Sequence, residues 1–233
     1  MVFKIMGEFV DGFETMKDIG PAVSVFGGAR FPEGHPTYEL GREIGARLAK
    51  GGYAVITGGG PGVMESVCRG AKDAGGTAVG LNILLPNESK CNNWATVKID
   101  FDYFFARKVM FMRYAQGFVV LPGGFGTLDE LFEALTLIQT RKTTDYPVVL
   151  VGKAFWAPLC AWIETTLVAE QTITKADLKR FTVVDSAEEA VAVLKATHEA
   201  AHASAVAQRG ARQRLPSLRR SAPRQLVRLR RNA

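Results

Sequence analysis

A glycine-rich segment between two apolar stretches is the part of this sequence best suited to chemistry. Residues 122–127 read Pro-Gly-Gly-Phe-Gly-Thr and follow the apolar run 118–121. Apolar residues at helical spacing come next: Leu128, Leu131, Phe132, Leu135 and Ile138. Glycines let the backbone turn tightly and approach a ligand closely. The free N–H groups of a helix start and the helix dipole favour an anion there, so the segment predicts a phosphate site.

Glu130 lies one turn into this predicted helix, beside the expected phosphate. A carboxylate at that place can stabilise positive charge on a sugar ring or activate an attacking water. A structural alternative exists, because Thr127 and Glu130 have the Thr-x-x-Glu spacing of a capping box. The pattern alone favours the cap. The neighbouring glycine loop, together with the family resemblance described below, favours a catalytic carboxylate.

Two further glycine clusters follow apolar runs, at residues 27–28 and in the segment 58–62, which reads Gly-Gly-Gly-Pro-Gly. Neither common nucleotide fingerprint fits them. The Gly-x-Gly-x-x-Gly pattern of dinucleotide sites fails because Val63 and Asp129 stand where its last glycine is needed. No cluster is followed by Lys-Ser or Lys-Thr, so a P-loop is also absent. NAD chemistry and ATP hydrolysis are therefore disfavoured.

Strand-like and helix-like segments alternate through most of the chain. The pattern predicts strands at 22–26, 53–57, 77–81, 97–99, 118–121, 148–151 and 182–184. It predicts helices at 38–50, 63–74, 103–116, 127–141, 156–169 and from 187 onward. This alternation predicts an α/β fold, a three-layer sandwich with a parallel sheet covered on both faces. Ligands of such sheets bind beyond the carboxyl ends of the strands, where all three glycine clusters fall.

Charge divides the chain unevenly. Residues 201–233 contain nine Arg and no acidic residue, whereas residues 1–200 carry 20 basic and 23 acidic groups, a net charge of −3. We expect three parts: an amphipathic lead-in at 1–20, a nucleotide-binding catalytic domain at 21–200 and a basic, disordered tail at 201–233. The tail is interpreted as a solvated extension. Contact with nucleic acid or an anionic membrane is the less favoured alternative.

Metal and secretion signals are weak. Cys68, Cys91 and Cys160 are scattered, so neither a disulfide framework nor a zinc ribbon is expected. Residues 198–202 read His-Glu-Ala-Ala-His, the zincin pattern, but no Asp, Glu or His follows His202 as a third ligand, and we interpret the match as coincidence. No apolar run is long enough for a membrane span and no secretory leader is evident. A cytoplasmic protein without metal or organic cofactor is expected.

Three segments together resemble the LOG (Lonely Guy) family, long described as possible lysine decarboxylases. They are residues 57–65 (Thr-Gly-Gly-Gly-Pro-Gly-Val-Met-Glu), 105–110 (Phe-Ala-Arg-Lys-Val-Met) and 122–130 (Pro-Gly-Gly-Phe-Gly-Thr-Leu-Asp-Glu). The resemblance covers about residues 20–185. One departure is visible, since Phe105 stands where better-known plant members have histidine.

The resemblance implies a Rossmann-like or flavodoxin-like fold, site residues and an activity. Arg107 and Glu130 match the catalytic arginine and glutamate of the family. The substrate- and phosphate-binding positions implied are Gly58, Gly59, Gly60, Gly62, Met64, Glu65, Lys108, Gly123, Gly124, Gly126 and Thr127. The implied reaction is hydrolysis of a nucleoside 5′-monophosphate, AMP or an N6-prenylated relative, to free base and ribose 5-phosphate, with a possible role in cytokinin activation. A homo-oligomer, a dimer or larger, is implied to complete the site.

Two other functions remain open at this point. Molybdenum-cofactor carrier proteins resemble the same fold and phosphate site but hydrolyse nothing, and the combination of Arg107 with Glu130 disfavours that class. The old decarboxylase description finds no support, because nothing in the sequence resembles a pyridoxal-phosphate lysine site.

Overall fold

Seven short apolar segments form the strands of one parallel sheet in a computed structural model of the protein. The structure describes residues 1–85, 90–143 and 146–214, with side chains through Ala200 and at Ala203. The strands are β1 (Ala22–Phe26), β2 (Ala54–Thr57), β3 (Ala78–Ile83), β4 (Val97–Phe101), β5 (Ala115–Val120), β6 (Val148–Val151) and β7 (Phe181–Val184). Their order is β4-β3-β2-β1-β5-β6-β7, and every pairing is parallel. The predicted α/β fold with a parallel sheet is confirmed.

Helices cover both faces of this sheet. They are α1 (Val2–Met16), α2 (Pro36–Lys50), α3 (Val63–Asp73), α4 (Phe104–Tyr114), α5 (Phe125–Gln139), α6 (Lys153–Trp162) and α7 (Ala187–Arg214). A π-helical turn (Ile163–Leu167) follows α6, and a 3₁₀ turn (Asp177–Arg180) precedes β7. Four of the five interior strands, β1, β2, β3 and β6, are buried along their whole length, as expected for a covered parallel sheet. The edge strands β4 and β7 are partly exposed.

The core has two layers, one on each side of the sheet. Alternate side chains of β1 point into opposite layers. Ala22 and Phe26 face α1, α4, α5 and α6, whereas Val23 and Val25 face α2, α3 and the start of α7. Ser24 lies on the first side, and its hydroxyl donates to the carbonyl oxygen of Phe111 at 3.1 Å. Burial of both layers is the main stabilising contribution to the fold.

The central pair of strands creates the crevice that positions the site. From β1 the chain adds β2, β3 and β4 on one side, and then returns to add β5, β6 and β7 on the other. The two crossovers leaving β1 and β5 therefore diverge, which opens a space beyond their carboxyl ends. The residues following β1, β2 and β5 are the three glycine clusters identified in the sequence.

The α4–β5 boundary differs from its prediction. The sequence predicts a helix to residue 116 and a strand from 118, but α4 ends at Tyr114 and β5 begins at Ala115. Ala115 pairs with Ala22 of β1, so the parallel ladder determines the conformation of a residue whose own propensity is helical. The helix after the 122–127 loop also starts earlier than predicted, at Phe125 instead of Thr127.

The chain divides into two units, residues 1–197 and residues 198–233. In the second unit the backbone is helical up to Arg214, as part of α7. The predicted start of a disordered tail at residue 201 therefore falls within a helix, because alanine, abundant in this stretch, has the highest helix propensity. Residues 215–233, with most of the tail arginines, lie outside the described residues, so the role of the tail stays a prediction.

Candidate active site

Backbone hydrogen bonds hold the three glycine loops together at the crevice. The N–H of Gly28, after β1, donates to the carbonyl oxygen of Pro122, after β5, at 2.9 Å. The N–H of Val63, at the start of α3, donates to the carbonyl oxygen of Gly28 at 3.1 Å. Gly62 has a φ of +66° and lies against the backbone of Gly28, where a side chain would collide. The loops are therefore fixed relative to one another without a ligand.

The 122–127 loop combines a packed glycine with open ones. A Cβ at Gly123 would strike the Thr127 side chain and the backbone of Gly28, so this position needs glycine for packing. A Cβ at Gly124 or Gly126 would meet no atom within 4 Å. Gly124 is the N-cap of α5, and no side chain caps this helix start. The helix start therefore has no side-chain cap competing for an anion, as a phosphate site requires.

A cavity of about 640 Å³ lies over these loops. Its wall is largely apolar and aromatic, and its polar side chains are few. The lining residues include the aromatic side chains Phe26, Phe31, Phe111, Phe125 and Phe155, and the polar side chains Arg30, Thr127 and Glu130. A mostly apolar pocket with a few convergent polar groups is typical of a small-molecule site.

Glu130 is a buried carboxylate that no hydrogen bond satisfies. Its side chain is 6% exposed, and neither of its oxygens has a hydrogen-bond partner among the described residues. Burial raises the pKa of the Glu130 carboxyl to about 7, against the lowering effects of Lys108 and Arg107. Buried polar atoms are normally paired, so an unpaired carboxylate on a cavity wall indicates a functional group.

The capping-box alternative for Glu130 is wrong. A capping box needs the threonine at the N-cap, but α5 begins at Phe125 and Gly124 occupies the N-cap. Thr127 lies within the first turn, where it is 6% exposed. Three residues further on, Glu130 is therefore beyond the helix start and bonds to none of its N–H groups. The sequence pattern placed the N-cap at Thr127, but glycine is also favourable at an N-cap, and Gly124 occupies that position.

Arg107 is not itself among the residues that line the cavity, but it lies beside two that are, Gly58 and Phe111. Its guanidinium stands over the rings of Phe104 and Phe111, at 5.1 and 5.6 Å from the ring centroids. A Cβ on Gly58 would be 3.8 Å from its Nη1 atom. Among the described residues its buried Nε has no hydrogen-bond partner, and burial lowers the pKa of the guanidinium although Glu130 opposes this. The structure thus places the Arg107 guanidinium close enough to the Glu130 carboxyl for each charge to influence the pKa of the other.

Lys108, predicted to contact substrate, is directed elsewhere. Its ammonium lies 2.6 Å from Glu133 Oε2, 2.9 Å from Asp129 Oδ2 and 3.6 Å from Glu130 Oε1. All three carboxylates belong to α5, and Lys108 is absent from the cavity wall. The geometry favours a role in holding α5 to α4 over direct phosphate binding.

Only some of the predicted substrate-binding residues between 58 and 65 line the cavity. Gly58 and Met64 line the cavity. Gly59 lies against Gly80 and Cys91, and a Cβ at Gly60 would collide with Met64. The predicted contact Glu65 instead accepts a hydrogen bond from the Tyr38 hydroxyl at 3.0 Å and does not line the cavity.

Sequence reasoning missed several cavity residues, which lie after β1, at the start of α5 and in α6. They are Gly28, Ala29, Arg30, Phe31, Phe125 and Phe155. The signal for the first group was present, because the 27–28 glycine cluster follows a strand. Nothing in the sequence identified β1 as the central strand, however, and Phe155 comes from a helix with no motif.

Neither a metal centre nor a membrane span is found in the described part of the chain. No group of three or more His, Cys, Asp or Glu side chains there could hold a metal ion. His198 is described, but the His202 side chain of the zincin-like pattern lies outside the described residues. None of the described helices has both the length and the apolar character needed to cross a membrane.

Comparison with known proteins identifies the family. The family model described as "Possible lysine decarboxylase" matches residues 64–194. A protein of Mycobacterium tuberculosis named cytokinin riboside 5′-monophosphate phosphoribohydrolase is 33% identical over 66% of this chain and 82% of its own length. A protein of the same name from Rhodococcoides fascians is 29% identical over 75% of this chain and 89% of its own length.

Solved structures agree on the fold. The structural-genomics protein TM1055 is 29% identical with a TM-score of 0.57, over 75% of this chain and 98% of that one. The molybdenum cofactor carrier protein of Chlamydomonas reinhardtii also has a TM-score of 0.57, at 23% identity, over 75% of this chain and 96% of that one. The family match, the relatives and the arrangement of the three glycine loops agree with the predicted family, and this chain belongs to the LOG (Lonely Guy) family.

Proposed function

We propose that the protein hydrolyses the N-glycosidic bond of nucleoside 5′-monophosphates, releasing the free base and ribose 5-phosphate. One observation carries the proposal. The buried Glu130 carboxyl, which has no hydrogen-bond partner among the described residues, lines a cavity that is also lined by the start of α5, where no side chain caps the helix. The helix start suits the phosphate, and the carboxylate one turn further along suits the sugar. The names of the relatives from M. tuberculosis and R. fascians support the same reaction.

The phosphate is proposed to bind at the start of α5. Gly124 and Gly126 leave room for its oxygens, and Thr127 adds a hydroxyl from the first turn. A dianion gains there from free N–H groups and from the helix dipole. This remote binding energy holds the ribose in place for reaction at its anomeric carbon.

Bond cleavage is proposed to use the charges around Glu130. The bond between C1′ and the base nitrogen breaks with its electron pair passing to the base, and positive charge develops on the ribose ring. The Glu130 carboxylate stabilises that charge and accepts a proton from the attacking water, whose oxygen bonds to C1′. The proton then passes to the departing base. Arg107, beside Gly58 and Phe111 of the cavity wall, is proposed to orient the substrate and to offset negative charge on the leaving base.

The base is proposed to lie among the aromatic side chains of the cavity. Phe31, Phe125 and Phe155 offer ring faces, and Phe125 is 93% exposed in the ligand-free protein. Stacking of a base on an aromatic ring contributes about 1–3 kcal/mol and tolerates different bases. Such a wall suits adenine and accepts an apolar N6 substituent, as in the cytokinin ribosides named for the relatives. No cofactor enters this chemistry.

The direct test is base release from AMP. We expect the purified protein to release adenine and ribose 5-phosphate from AMP, and to use adenosine at least about 100-fold less efficiently because the phosphate contacts are lost. Chromatography of free adenine measures both rates, and N6-isopentenyl AMP extends the comparison to prenylated bases. Equal efficiency with AMP and adenosine would contradict the proposed phosphate site.

A matched pair of glycine variants checks the place of the phosphate. Gly126→Ala adds a methyl group that meets no protein atom but enters the cavity, and alanine suits a helix better than glycine. Its Tm should be unchanged or higher, whereas KM for AMP should rise about ten-fold or more. Gly7→Ala, equally open but in α1 and outside the cavity, should leave KM unchanged. Because α1 also belongs to the oligomer contact proposed below, this control is used only where light scattering gives the wild-type molar mass. Wild-type KM in Gly126→Ala would place the phosphate elsewhere.

A carrier function is the second candidate that the same experiment addresses. The similar structures include the molybdenum cofactor carrier protein of C. reinhardtii at 23% identity and a molybdenum cofactor binding protein of Rippkaea orientalis at 24%, and this likeness concerns the fold alone. Tight retention of a phosphorylated ligand without base release from any monophosphate would favour a carrier.

We also propose that the protein is a homo-oligomer, dimeric or larger. Large apolar side chains are exposed on two contacting helices: Phe3, Met6 and Val10 on α1, and Phe105 and Val109 on α4. An apolar surface of this kind marks an interaction site. Light scattering should give a molar mass of at least twice the 25.3 kDa chain, and Val10→Asp should lower it. A single-chain mass for the wild type would contradict the proposal.

A further inference from the structure

The Lys108 ammonium lies within 4 Å of three carboxylates, one of which is the candidate catalytic residue Glu130. Asp129, Glu130 and Glu133 form an acidic cluster in the first half of α5, and Lys108 of α4 lies among them. The Lys108 ammonium donates hydrogen bonds to Asp129 and Glu133 and lies 3.6 Å from Glu130 Oε1 without bonding to it. Lys108 is 16% exposed and Glu130 is 6% exposed on their side chains, so solvent screens this contact little.

The position of this ammonium is set by the two outer carboxylates. Glu133 is 32% exposed and Asp129 is 56% exposed, and their oxygens lie 2.6 and 2.9 Å from the ammonium, closer than Glu130 Oε1 at 3.6 Å. The contact of 3.6 Å is too long for a strong charge-assisted hydrogen bond. Lys108 therefore acts on Glu130 through its field, and a change in Asp129 or Glu133 alters that field.

We propose that Lys108 is a positioning residue that holds Glu130 as a carboxylate near neutral pH, and that Asp129 and Glu133 limit how strongly it does so. The inference rests on the proposed hydrolysis only for its consequence on rate. It assigns Lys108 to the charge state of Glu130 and not to the phosphate, the role that the sequence predicted.

The charged groups facing Glu130 come from two helices. Arg107 and Lys108 of α4 favour its ionised form, whereas Asp129 and Glu133 of α5 oppose it. Burial is the largest influence and raises the pKa of the Glu130 carboxyl, and the Lys108 charge is the largest opposing one. Removing Lys108 and removing Glu133 should therefore move the titration of Glu130 in opposite directions.

The experiment compares Lys108→Met with Glu133→Gln. In the pH profile of kcat/KM for base release, the midpoint of the acid limb should rise by about one pH unit or more in Lys108→Met. An adjacent opposite charge lowers the pKa of a carboxyl by about 1–3, and this variant removes such a charge. At pH 7 this corresponds to a loss of activity of about five-fold. The acid limb should move downward in Glu133→Gln. Lys108→Arg, which keeps the cation, should stay near the wild-type profile.

A readout that needs no turnover separates this inference from the proposed function. The ¹³C carboxyl resonance of Glu130 in the ligand-free protein, assigned by its loss in Glu130→Gln, should show the same opposite shifts. If wild type releases no base but the resonance shifts as expected, the proposed hydrolysis fails and the role of Lys108 stands.

Two outcomes overturn the inference. One is a Glu130 resonance that titrates alike in wild type, Lys108→Met and Glu133→Gln. The other is a shift of both variants in the same direction, which marks general loosening of α5 against α4. Lys17→Met removes an exposed lysine paired with Glu14 in a part of the chain outside the cavity, and it should change neither readout. If Lys108→Met does not fold, Glu133→Gln still tests the downward shift, and an unshifted Glu130 titration in that variant overturns the inference.

Discussion

Glu130→Gln is expected to remove base release from AMP while leaving the protein folded. Glutamine has almost the same shape, so the cavity wall is kept, but its amide can neither stabilise positive charge on the ribose nor accept a proton from water. General acid–base catalysis contributes about 10²–10⁴-fold to a rate, and we expect a fall in kcat within that range. KM for AMP should change little, because the phosphate binds at Gly124 and Gly126 and not at Glu130.

The measurement is chromatographic adenine release with matched protein concentrations, together with Tm. Glu43→Gln is the control, since Glu43 lies on α2, pairs with the exposed Arg47 and does not line the cavity. It should keep wild-type activity. Wild-type kcat in Glu130→Gln would end the assignment of Glu130 as the catalytic carboxylate. A fall in kcat accompanied by unfolding would leave Glu130 as a residue of structural importance only.

The second large effect expected of Glu130 is on how the free energy of unfolding depends on pH. The pKa of the Glu130 carboxyl is about 7 in the folded protein, above its ordinary value of 4.5, because the group is buried. Between these values the folded state holds a proton that the unfolded state has lost, so stability falls as pH rises from 4.5 through 7. Burying the ionised carboxyl at pH 8 then costs about 3 kcal/mol relative to burying the neutral acid.

Glu130→Gln removes this dependence because an amide does not titrate. The free energy of unfolding of the variant minus that of wild type should rise between pH 4.5 and pH 8 by up to about 3 kcal/mol. Urea denaturation of both proteins at several pH values measures it, and all other titrating groups cancel in the difference. Parallel stability curves would show that Glu130 is not buried as a strained carboxylate. A variant that is inactive yet more stable at pH 8 would indicate stability given up for function.

Much of the fold follows from local patterns. Alternating strand-like and helix-like segments predicted the parallel sheet, and β1 and β6 were predicted at their observed bounds. Runs of Val, Ile and Ala bounded by glycines are sufficient for this, because both faces of a central strand are buried. The boundary at Ala115 could not be predicted, since pairing with β1 over a long sequence separation determines it.

The candidate site follows partly from sequence and partly from the fold. Glycine spacing in 122–127, and Glu130 beside it, were evident from the residues alone, because backbone freedom and helix starts are local properties. Whether Glu130 caps a helix or faces a cavity depends on where α5 begins, and the contacts of Gly123 with Thr127 and Gly28 determine that.

The sequence by itself determined the α/β class, the family and the residue types able to bind phosphate and act on a sugar. Only the tertiary structure decided which of them meet. It placed Arg30 and Phe155, far apart in sequence, on one cavity wall, and it turned Lys108 from the phosphate to the acidic cluster of α5. The physical reason is that backbone conformation depends on neighbours along the chain, whereas burial and charge depend on the neighbours that folding brings together.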